Sequence, residues 1–122
     1  MTRYDDAVER YFTAWNATGA EETAKAVAAA FTEDATYTDP LAEVSGHDGL
    51  VALIGGAQQQ FPGFSFRPAG TPDGHHALVR FGWELVSDAD GSAPVAGFDV
   101  IVLADDGRIS SVSGFLDRVP GA

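Results

Sequence analysis

The chain has 122 residues, 45% of them apolar, with 18 acidic against 7 basic side chains and a formal net charge of -11. That length fits one domain of common size with a core that needs no covalent staple, and the absence of cysteine excludes disulfides, thiolate metal sites and cysteine nucleophiles. The acid excess argues against nucleic acid and anionic membranes as partners, and no apolar run approaches the roughly 20 residues of a membrane span.

The first residues carry no apolar stretch of the signal-peptide kind, so the cytoplasm is the expected compartment. Tyr4, Val8, Tyr11, Phe12 and Trp15 recur at the spacing of one helical stripe. Thr2 is placed to cap that helix, with Asp5 and Asp6 near the positive end of its dipole. Gly19 interrupts the pattern. Thr18 and Glu21 then have the spacing of a capping box for a second helix, with Ala24, Val27, Ala28 and Phe31 as its stripe. Residues 35–40 read as a short strand stopped by Pro40, whose ring pushes Asp39 into extended geometry. A third helix is expected from Ser45, Gly46, His47 and Asp48, with Leu50, Ile54, Ala57 and Phe61 as its stripe. Gly55 and Gly56 weaken it by roughly 1 kcal/mol each relative to alanine.

The second half reads as an antiparallel meander. Residues 64–67 form a strand ended by Pro68, and Thr71, Pro72, Asp73 and Gly74 form a turn. Strands follow at 76–86, 95–104 and 108–119, separated by a loop at 87–94 and a turn at Asp105, Asp106 and Gly107. The expected architecture over residues 1–122 is one α+β domain. Three N-terminal helices pack on a curved, mainly antiparallel sheet that encloses a pocket, like a cone.

Asp99 is the most informative residue. Its strand, residues 95–103, is apolar on both faces, so the carboxyl is expected to face an apolar interior. Desolvation there favours the neutral acid, which can donate a hydrogen bond to a developing oxyanion. The alternative is a structural aspartate bonded to backbone or to a buried partner. Asp39 shares one face of its short strand with Ala35 and Tyr37, and a carboxylate at a pocket edge can act as general base. The alternative is ordinary Asp-Pro turn chemistry. Tyr11 lies on the apolar stripe of the first helix, where its hydroxyl needs a partner and could be a second oxyanion donor. The adjacent His75 and His76 point to opposite faces on a strand and cannot chelate together, and His47 opens a helix. All three read as structural or solvated. No metal-ligand spacing is present, and no phosphate-binding or dinucleotide motif.

Several stretches resemble the NTF2-like superfamily. They are residues 11–17, the run Phe31-Thr32-Glu33-Asp34-Ala35-Thr36-Tyr37-Thr38-Asp39-Pro40, the Gly46-His47-Asp48-Gly49-Leu50 helix start, and Asp106-Gly107-Arg108-Ile109 before the last strand. Within it the chain is similar to the ketosteroid isomerases and to SnoaL-like proteins, which include polyketide cyclases. The resemblance implies Asp39 as general base, and Asp99 and Tyr11 as oxyanion donors, the former as a neutral acid. It implies a pocket wall of Trp15, Tyr37, Ile54, Phe81, Trp83, Gly114 and Leu116, with Leu85 also on the sheet side. Ile54 and Leu116 replace two aromatic residues of the ketosteroid isomerases.

The implied activity is isomerase- or cyclase-like enolisation of an apolar carbonyl compound without metal or organic cofactor. The alternative is a non-catalytic module that binds an apolar ligand or acts as an accessory subunit. Hydrolysis through an Asp-Arg-Asp set is disfavoured, because Arg80 falls on the strand face opposite Phe81 and Trp83. The outer sheet face, with Phe98, Val100 and Val102, is apolar enough to make a homodimer through the sheet the expectation.

Overall fold

Thr2 starts the first helix as expected. Its hydroxyl accepts the Asp5 N–H at 3.2 Å, and the Asp5 carboxylate accepts the Thr2 N–H at 3.2 Å. In the computed structural model, which describes residues 2–120, nine elements follow in the order α1 (Arg3–Asn16), α2 (Ala20–Ala30), β1 (Phe31–Thr38), β2 (Glu43–Ser45), α3 (Gly46–Gln60), β3 (Phe64–His75), β4 (Leu78–Ser87), β5 (Val95–Leu103) and β6 (Ile109–Arg118). The three helices are therefore not all N-terminal to the sheet, because α3 comes after β1 and β2. Among the described residues no helix is long and apolar enough to cross a membrane.

The α1 stripe is buried as its spacing requires, through Val8, Tyr11, Phe12 and Trp15. The second helix departs from expectation. Gly19 sits at the N-cap with φ 82°, and the acid that reaches back is Glu22, accepting the Thr18 N–H at 2.6 Å, not Glu21. The buried stripe is Thr23, Val27 and Ala30, while Ala24 and Ala28 are exposed. A helix so rich in alanine has little contrast between its faces, so tertiary packing sets its rotation. Phe31 already belongs to β1.

The sheet order is β2-β1-β6-β5-β4-β3. Every neighbouring pair is antiparallel except β1 and β6, which run parallel with Tyr37 opposite Val112 and Thr38 opposite Ser113. The turn expected at residues 71–74 lies inside β3. The chain reverses instead at His76 and Ala77, with His76 at φ 51°. As the edge strand, β3 accommodates Pro68 and Pro72, and a register shift between Ala69 and Asp73 absorbs the irregularity. Further shifts between β1 and β6 and between β5 and β6 curve the sheet without closing it. Its concave face carries the core, in which Phe31, Leu50, Ile54, Ile101 and Ile109 are fully buried.

Candidate active site

Alternation along β5 turns Gly97, Asp99, Ile101 and Leu103 inward and leaves Phe98 outward at 37% exposure. Asp99 is thus carried into the core at 2% exposure. Two donors from different elements meet it. The Tyr11 hydroxyl of α1 donates to Oδ2 at 2.5 Å, and the Trp83 Nε1–H of β4 donates to Oδ1 at 3.3 Å. Burial pushes the Asp99 carboxyl up to about 6, and the negative charge of Asp39 adds to the rise. The two donors pull the other way, because they favour the ionised form. Burial likewise raises the Tyr11 hydroxyl, and the neighbouring Asp99 charge reinforces it, so the phenol keeps its proton.

Asp39 is held differently. Its Oδ1 accepts the Leu41 and Ala42 N–H groups, each at 2.8 Å, and its own N–H donates to the Ala42 carbonyl at 2.9 Å. This is the Asx turn that an Asp-Pro pair favours. Its Oδ2 accepts the Tyr37 hydroxyl at 2.6 Å. Tyr37 is on the same face of β1 two residues earlier, and its hydroxyl is driven up by burial and by this bond to Asp39. The carboxyl is half-buried and fixed, with both oxygens accepting hydrogen bonds.

Both carboxyls open on one cavity of about 850 Å³. Tyr11, Trp15, Tyr37, Trp83 and Leu116 line it, together with Leu53, Ala57 and Phe61 from α3 and its cap. Ile54, Phe81 and Gly114, also expected on the wall, are not among its lining residues; Ile54 and Phe81 lie in the core behind it. Ile54 is fully buried while Leu53 takes the wall position. Phe81 meets the Tyr11 ring edge-on at 5.1 Å and so supports the donor from behind. Trp15 packs on Tyr37 at 5.8 Å and on Phe66 at 5.1 Å. Phe66 and Val95 complete the wall without having been marked by the sequence.

Two glycines make room for the chemistry. A Cβ on Gly114 would fall 2.7 Å from Asp99 Oδ1 and 3.3 Å from Asp39 Cβ, so the missing side chain lets both aspartates reach the same space. A Cβ on Gly97 would meet the Phe115 carbonyl and lie 2.7 Å from the Trp83 ring, so Gly97 seats the indole that binds Asp99. Gly97 carried no signal in the sequence, because its role follows from its cross-strand partner. Substituting Gly114→Ala should destabilise the fold by about 1–3 kcal/mol through this overpacking, although alanine is otherwise better than glycine in a strand. Urea unfolding checks it, and an unchanged or raised midpoint would show that the aspartates do not crowd this position.

The remaining polar candidates stay outside. His47 Nε2 is 3.0 Å from the Phe31 carbonyl, and His75 and His76 are exposed. Arg80 pairs with Asp73 at 3.5 Å on the surface.

A family model of the SnoaL-like domain matches residues 8–112. A solved structure described as a candidate isomerase of the SnoaL-like family, from Agrobacterium tumefaciens, is 43% identical, with 96% of this chain and 99% of that chain covered and a TM-score of 0.89. A candidate SnoaL-like polyketide cyclase from Jannaschia sp. CCS1 is 16% identical over 94% of this chain and 85% of its own, with a TM-score of 0.76. A candidate polyketide cyclase from Sinorhizobium meliloti is 18% identical over 93% of this chain and 99% of its own, at 0.69. The last two share the fold alone. No curated protein matches the chain.

Proposed function

The chain belongs to the SnoaL-like domain family, and from that premise we propose that it is an isomerase- or cyclase-like enzyme that enolises an apolar carbonyl compound without a cofactor. The observation that carries this reading is the pair of carboxyls opening on one largely apolar cavity and held by different partners. Asp39 is fixed at the cavity by three hydrogen bonds, from the Tyr37 hydroxyl and the Leu41 and Ala42 N–H groups. Asp99 is desolvated toward its neutral acid.

In this mechanism the ligand carbonyl oxygen sits at Tyr11 and Asp99, and Asp39 Oδ2 takes the proton from the adjacent carbon. Negative charge then moves to the oxygen, where the Tyr11 hydroxyl and the protonated Asp99 donate to it. Such preorganised donors act in a water-poor site and are worth far more than in solution. The enolate takes the proton back at a conjugated carbon, which is isomerisation, or attacks a second carbonyl, which is cyclisation.

The test is proton NMR of a panel of apolar β,γ-unsaturated ketones in D₂O. The protein should catalyse deuterium incorporation next to the carbonyl of at least one of them. A second reading, a binding module without turnover, has one observation in its favour: both oxygens of Asp39 already accept hydrogen bonds. Ligands that bind in the chamber and exchange no proton would favour that reading.

We also propose a homodimer through the outer sheet face, where Phe98 and Phe115 stack at 5.0 Å with 37% and 51% exposure. Sedimentation as a monomer at micromolar concentration would count against it.

A further inference from the structure

We propose that the ligand carries an uncharged, elongated apolar arm that leaves the chamber between Leu41 and Val119 and is gripped there. This inference rests on the chamber being the ligand site. The parallel register of β1 and β6 sets Thr38 beside Ser113. The next step sets Asp39 beside Gly114, as their close approach confirms. The segments that follow, residues 40–42 and 116–120, therefore emerge at the same end of the sheet.

Two exposed large apolar side chains stand on those segments, Leu41 at 83% exposure and Val119 at 37%. Both line the same cavity as the aspartates, and Leu116 lines it too. Single exposed apolar residues need no explanation. These two are continuous with an apolar cavity, and Leu41 is fixed relative to the base because its N–H donates to Asp39 Oδ1 at 2.8 Å. Among the described residues no lysine or arginine lines the cavity, and the two aspartates are its only carboxyl side chains. An anionic arm would find no cation there and a cationic one would compete for the two aspartates that the mechanism uses, whereas an apolar arm would cover side chains now in water.

The experiment is a binding series of phenol and 4-ethyl-, 4-butyl- and 4-hexylphenol, read by fluorescence of Trp15 and Trp83, both of which line the cavity. Affinity should rise by up to about four-fold per added methylene as the arm is buried. The double variant Leu41→Ser, Val119→Ser should lose roughly ten-fold in hexylphenol affinity, with a loss that shrinks as the arm shortens. No loss, or an equal loss across the series, overturns the arm. Asp99→Ala, measured in parallel, should weaken every member alike. If it weakens none, the chamber reading fails and the arm with it. If it weakens all while the double variant shows no length dependence, the arm alone fails. Thermal melts confirm folding, which a leucine 83% exposed should not disturb.

Discussion

Asp39→Asn should lower ketone turnover by about 10²–10⁴-fold, the usual contribution of a positioned general base. Asparagine keeps the shape of the side chain and can still accept the Leu41 and Ala42 N–H groups through its oxygen. It presents an NH₂ group where Oδ2 stood, which cannot take a proton. Tyr37 can adapt, because its hydroxyl both donates and accepts. The variant should therefore keep its stability and its affinity for phenols to within a few fold. That split between lost kcat and retained binding separates a missing base from a damaged chamber. Turnover of every active ketone at the wild-type rate would remove Asp39 from the mechanism.

Asp99→Asn should stabilise the protein by up to about 3 kcal/mol above pH 7 and by almost nothing near pH 4. The sign follows from the direction of the shift. The folded state holds the Asp99 proton up to about pH 6, whereas the ordinary aspartate value of the unfolded chain is 3.8. Between those values the folded state binds more protons than the unfolded one, so wild-type stability falls as pH rises through the window. Above it the full cost of a buried, ionised carboxyl remains. Asparagine resembles the neutral acid and avoids that cost at every pH. Its oxygen can accept from Trp83, and its NH₂ can donate to Tyr11. Urea unfolding at pH 4 and pH 8 measures the difference, and an equal effect at both values would contradict a raised Asp99.

The same shift bears on ligand binding. Ionised Asp99 engages the Tyr11 and Trp83 hydrogens and offers none of its own. Once protonated, it can donate, and Tyr11 is released to turn its hydroxyl toward a ligand oxygen. Oxyanion-like ligands should therefore bind better as pH falls through about 6.

Much of this site was legible from residue spacing. Tyr11 declared itself as a phenol on an apolar helical stripe, Asp99 as an acid in a strand apolar on both faces, and Asp39 by sharing a face with Tyr37. What was hidden depends on rotation and register. Ile54 and Leu53 differ by one helical position, and helix periodicity alone does not decide which of two neighbours faces the wall. Phe81 and Trp83 share a strand face, yet only Trp83 reaches the cavity, because Tyr11 and Phe12 cover the ring of Phe81. Gly97 and Gly114 matter for what stands across from them, which no single-strand pattern contains. The Pro72-Asp73-Gly74 turn signal misled because an edge strand tolerates proline and bulges where a central strand does not. The exposed Leu41 follows from an Asx turn whose bonds run from Asp39 to the next two amides.

The most direct measurement is a carbon-13 NMR titration of the aspartate carboxyls from pH 3 to pH 9, with Asp99→Asn to assign the signal. One carboxyl should titrate near 6, set by its burial between Tyr11 and Trp83, and its signal should vanish in the variant. If every aspartate titrates near its ordinary value, no acid is held ready in the chamber, and the enolisation mechanism is contradicted.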